Sequence, residues 1–152
     1  MKKFLVSFAA GIIAMFAATT DANAYEFDGI DLNAPQQQVT REISVKGYSW
    51  NQEKQCLVGN CQGTEISLSL NLYDVTESGH VGQLIVDIPM SGSDAVKNAT
   101  VLFNVIYHQT SSSNGVVTYA VANDGTTMNL SKTSNGIRLT YNTPYYKASS
   151  KK

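Results

Sequence analysis

Histidine and cysteine are scarce in this chain of 152 residues, two of each, and charged side chains make up only 15% of it. Two histidines and two cysteines fall short of a zinc ligand set at the usual spacings. No Gly-x-Ser-x-Gly elbow accompanies any serine, so a triad drawn through His108 would have no nucleophile motif behind it. The formal net charge is −1, too weak a field to mark a nucleic-acid or anionic-membrane partner. Long apolar runs are missing everywhere except near the start. No enzyme activity and no cofactor are expected from this inventory.

What is present begins with an export signal. Lys2 and Lys3 form a positive n-region, Phe4 to Ala18 is almost uninterruptedly apolar, and Ala22-Asn23-Ala24 offers small residues for cleavage. The apolar run is short of the roughly 20 residues that a bilayer core requires, so it reads as a cleaved signal rather than a transmembrane anchor. The expected mature chain starts at Tyr25, carries nine basic and eleven acidic residues, and works in a bacterial periplasm or outside the cell. Its divisions read as signal peptide 1–24, polar N-terminal arm 25–38, a single β-domain over 39–143 and a polar tail over 144–152.

Alternation with a period of 2 dominates the expected domain. Ile66, Leu68, Leu70 and Leu72 stand against Ser67, Ser69 and Asn71, which puts one face of a strand in a core. Similar patterns run over Val39–Lys46 with an extension to Tyr48 and Trp50, then Val81–Ile88, Val101–Gln109, Val116–Ala122, Thr126–Ser131 and Ile137–Asn142. Val101–Gln109 is apolar on both sides, as a central strand would be. Ser111-Ser112-Ser113-Asn114-Gly115, Asn123-Asp124-Gly125 and Ser134-Asn135-Gly136 read as hairpin turns, with Asn-Gly and Asp-Gly supplying the positive φ. The pattern predicts an all-β fold of about seven antiparallel strands in a meander, as a β-sandwich or small barrel, with little helix outside the signal.

Cys56-Leu57-Val58-Gly59-Asn60-Cys61 is the most distinctive local feature. In an exported protein an isolated cysteine pair is expected to close on itself, and Gly59 and Asn60 tolerate the turn this needs. A Cys56–Cys61 disulfide would hold Leu57, Val58, Gly59 and Asn60 in one rigid protruding shape. The Cys-x4-Cys spacing is similar to that of the disulfide loop by which Ivy-type periplasmic lysozyme inhibitors enter the enzyme's active site. Only the two cysteines match; Leu57, Val58, Gly59 and Asn60 stand where that family carries a basic residue, a proline, a histidine and an aspartate. The similarity implies an inhibitor-like docking loop.

The remaining candidates are thinner. His80 falls in a turn and His108 at a sheet margin, while Asp74, Glu77, Asp87 and Asp94 fall at strand ends or loops, where acids are solvated. Asp28-Gly29-Ile30-Asp31 departs from the EF-hand order. Tyr48 and Trp50 are placed to add rigid aromatic area to a contact surface. The function expected is therefore a binding module for a protein partner through Leu57, Val58, Gly59, Asn60, Tyr48 and Trp50. Two alternatives stand beside it: a barrel or sandwich holding a small apolar ligand along Val101–Gln109, and a surface subunit that assembles by strand addition.

Overall fold

The computed structural model describes residues 26–27, 29–61, 63–72, 79–90 and 94–144. The expected signal segment, its cleavage site, the Glu77-Ser78 turn and the C-terminal lysines lie outside them. Among the described residues, eight antiparallel strands form one sheet in the order β3-β4-β5-β6-β10-β9-β8-β7. They are β3 Ser49–Asn51, β4 Cys56–Cys61, β5 Thr64–Leu72, β6 Val81–Pro89, β7 His108–Ser113, β8 Val116–Ala120, β9 Thr127–Lys132 and β10 Gly136–Asn142. A separate two-stranded hairpin joins β1 Glu26–Phe27 to β2 Ile30–Asp31. Two helices complete the fold, α1 Gln36–Val45 and α2 Ala95–Ile106. The all-β, antiparallel meander expected from alternation is what forms.

The order of elements repeats. A helix followed by a four-stranded meander occurs twice, α1 with β3 to β6 and then α2 with β7 to β10, and the fourth strand of each unit pairs with the other at the sheet centre. Buried residues agree with the connectivity. Val39 and Ile43 of α1 correspond to Ala99 and Phe103 of α2, and each helix is followed by a buried tyrosine, Tyr48 or Tyr107.

Cross-strand register sorts the side chains onto two faces. Leu68 lies opposite Val86, which lies opposite Leu139, which lies opposite Leu130 and then Val117. All five are buried. Leu84, Tyr141, Met128 and Tyr119 form the next such row. This inner face meets Phe103 and Ala99 of α2, Val39 and Ile43 of α1, and Phe27, Ile30 and Leu32 of the hairpin region in one continuous core. Aromatic rings knit the second unit together: Phe103, Tyr107 and Tyr119 lie within 5.6 to 6.4 Å of one another, centroid to centroid.

Four expectations need correction. Val39–Lys46 is helix, not strand. Val39 and Ile43 are four residues apart and point together in either geometry, but Arg41 and Val45 are exposed, which only a helix allows. Its end is a Schellman motif: the Gly47 N–H donates to Ser44 O at 3.0 Å and the Tyr48 N–H to Ile43 O at 3.3 Å, with Gly47 at φ 101°. Val101–Gln109 is mostly helix α2, whose buried line is Ala95, Ala99 and Phe103, with Val101 and Val105 turned to solvent. An apolar ligand channel along that segment loses its basis. The described residues of the arm expected over 25–38 are no solvated lead-in, since Phe27, Ile30, Leu32 and Ala34 are buried in the core and α1 starts at Gln36.

The fourth correction concerns the cysteines. Cys56–Cys61 is a strand paired on both sides, with Leu57 opposite Trp50 and Leu68. Five residues of extended chain separate the two α-carbons by about 16 Å, far beyond the roughly 7 Å limit for a disulfide. The two sulfurs are not joined. Cys61 belongs to the inner face and Cys56 to the outer one, both buried.

A cleft on the solvent-facing side of the sheet

The outer face carries the other half of every alternation. Ser67, Ser69 and Asn71 of β5, Gln83, Ile85 and Asp87 of β6, Arg138, Thr140 and Asn142 of β10, and Asn129 and Ser131 of β9 are all half-buried or exposed. Register aligns them in rows. Ser69, Ile85, Thr140, Asn129 and Thr118 make one; Val58, Ser67, Asp87, Arg138 and Ser131 make another. Neither helix packs against this side.

Many of these polar groups are already engaged with one another. Asn71 Nδ2 donates to Gln83 Oε1 at 2.6 Å, and Gln83 Nε2 donates onward to Asn142 Oδ1 at 2.9 Å, a chain across three strands. Thr118 Oγ1 donates to Asn129 Oδ1 at 2.8 Å. Arg138 grips Asp87 with two bonds, Nε to Oδ1 at 2.7 Å and Nη2 to Oδ2 at 3.0 Å. That grip holds the guanidinium pKa above its ordinary value, through the hydrogen bond first, with burial opposing it. Both side chains remain more than a third exposed, so the pair fixes geometry and adds little stability, under about 1 kcal/mol.

Two turns raise lips beside the Arg138–Asp87 pair. The β3–β4 turn reaches over the face, where Lys54 Nζ meets Glu65 Oε2 at 3.1 Å. Opposite it, Thr133, Ser134 and Asn135 of the β9–β10 turn close the far side. Between them lies a cleft of about 620 Å³ with Ser67, Asp87 and Arg138 in its lining and Cys56 at its β4 side. No protein-family model, curated protein or solved structure matches this chain.

The residues singled out by sequence are dispersed by the fold. Leu57 and Gly59 belong to the inner face, Val58 and Asn60 to the outer one. Tyr48 is buried with its ring on Gly59, leaving no room for a Cβ there, so it offers no contact area. Trp50 is exposed on the short edge strand β3, its Nε1 donating to Gln52 Oε1 at 3.1 Å. His108 starts β7, six strands away from β4, about 29 Å across the sheet. His80 lies seven residues along β6 from Asp87, about 23 Å. Neither imidazole reaches the cleft, so the Cys56 thiol has no histidine base beside it. Among the described residues no three His, Cys, Asp or Glu side chains gather as metal ligands would.

The strand alternation made Ser67, Ser69 and Asn71 legible as a solvent face. Arg138, Asp87, Lys54 and Glu65 were not legible as a group, because their meeting depends on the β6–β10 pairing and on a turn folding back over the sheet.

Proposed function

We propose that this chain is an exported, non-enzymatic binding module, that its partner is another protein, and that it binds through the solvent-facing side of the eight-stranded sheet. The observation that carries the reading is a broad face left uncovered by both helices, with polar side chains held by cross-strand hydrogen bonds around the half-buried Ile85. An apolar centre ringed by pre-ordered polar groups is the anatomy of a protein contact surface. Side chains already fixed in place lose little further entropy on docking. The cleft between Lys54 and Asn135 gives the same face a recess into which a partner's polar side chain fits.

Export rests on the Met1–Ala24 segment, which agrees with a binding role in the cell envelope or outside the cell. Retention of a partner from the compartment of origin tests the whole reading. Ile85→Lys and Arg138→Glu should each weaken retention at least about tenfold, equivalent to about 1.4 kcal/mol. Val105→Lys, on the exposed side of α2, should leave it unchanged. Equal retention by all three variants contradicts the assignment.

A further inference from the structure

The two edges of the sheet differ in a way that bears on assembly. β3 is three residues long and runs directly into the turn bearing Glu53 and Lys54. A short edge flanked by charge resists pairing with another chain. β7 is twice as long, and all six of its residues, His108 to Ser113, are exposed. It contains no lysine, arginine, acid or proline. One side of its backbone pairs with β8; as the last strand in the sheet order, its other side is turned away from the sheet. A register shift between Gln109 and Ser111 interrupts its first half, whereas Ser111, Ser112 and Ser113 pair regularly with Thr118, Val117 and Val116.

From this asymmetry we infer that β7 is a self-association edge, and that its occupant is β7 of a second copy of this chain, paired antiparallel about a two-fold axis. An isologous strand pair needs only self-complementarity. The β7 sequence meets that condition, since no charge opposes its own copy and Ser and Thr side chains hydrogen-bond across antiparallel pairs. Nine basic against eleven acidic residues on the expected mature chain put little repulsion between two whole molecules. The added pairing joins two eight-stranded sheets edge to edge and leaves the outer face open, so it is independent of the binding role proposed above. With one short strand from each copy in contact, the dimer is weak and appears only as concentration rises.

Sedimentation of the purified chain over a wide concentration range reads the proposal. The wild type should pass from monomer to dimer, and the β7 backbone amides that point away from β8 should gain protection from hydrogen exchange in parallel. Ser111→Lys with Ser113→Lys, and separately Ser111→Asp with Ser113→Asp, should each weaken dimerisation about tenfold or more, because like charges then face each other across the pair. Mixing the lysine and aspartate variants should restore a dimer containing one of each. All four substitutions fall on exposed side chains, and unchanged circular dichroism confirms the fold. A wild type that stays monomeric throughout overturns the inference. So does a dimer that tolerates both charged variants, or a mixture that fails to pair.

Discussion

Tyr119 is fully buried between the sheet and α2, and its hydroxyl finds no hydrogen-bond partner of good geometry. The nearby Thr100 hydroxyl is itself bound to Val96 O at 2.7 Å. Burial pushes the phenol pKa up from 10.0, with Thr100 offsetting part of the rise. A raised value in the folded state means stability that is complete below the unfolded pKa and lost as pH climbs through the folded one. Tyr119→Phe is therefore expected to be neutral or stabilising by up to about 1 kcal/mol at neutral pH, because an unsatisfied buried hydroxyl is removed. It should also flatten the loss of stability above pH 10.0. Urea denaturation across a pH series checks both. A second expectation at this scale concerns Gly59, where the Tyr48 ring fills the space of a side chain. Gly59→Ala should cost about 1–3 kcal/mol, and less when Tyr48→Ala has already emptied that space; a double-mutant cycle measures the coupling.

At the scale of elements, α1 depends on its stop. Gly47 holds φ 101°, a left-handed conformation that a side chain resists. Gly47→Ala should destabilise by about 1–2 kcal/mol, read as a lower denaturation midpoint with an unchanged slope. The same helix shows why part of the fold was illegible in sequence. Val39 and Ile43 satisfy a period of 2 and a spacing of four equally well, and only the bracket of Pro35 and Gly47 decides between them. In α2 apolar residues lie on all sides, so a central strand and a helix bury much the same set. Strands β5, β6, β8, β9 and β10 were legible because the apolar residues of their inner face recur at every second position. Strand β4 was not, because Gly59 and Asn60 resemble turn residues when Gly59 in fact makes room for a tyrosine from outside the strand. Of the turn expected over Ser111–Gly115, only Asn114 and Gly115 are turn, with the positive φ, 54° and 78°, that a tight hairpin demands, while Ser111, Ser112 and Ser113 pair with β8 as the end of β7.

At the scale of the whole molecule, two helix-plus-meander units share one sheet, with helices and the β1–β2 hairpin on one side and solvent on the other. A sheet built this way keeps its hydrophobic contacts inside and leaves a hydrogen-bonded outer surface whose side chains can vary without disturbing core packing. Alternation foretold that polar half, but not which polar groups become neighbours: Asp87 and Arg138 are 51 residues apart in sequence and meet through the central strand pairing. The most direct measurement is photo-crosslinking in the native compartment, with a photoreactive amino acid placed at Thr140 in the middle of the outer face or at Val105 on α2. The expected result is a discrete protein adduct from Thr140 and none from Val105. An adduct confined to Val105 would move the contact surface to the helical side and contradict the account.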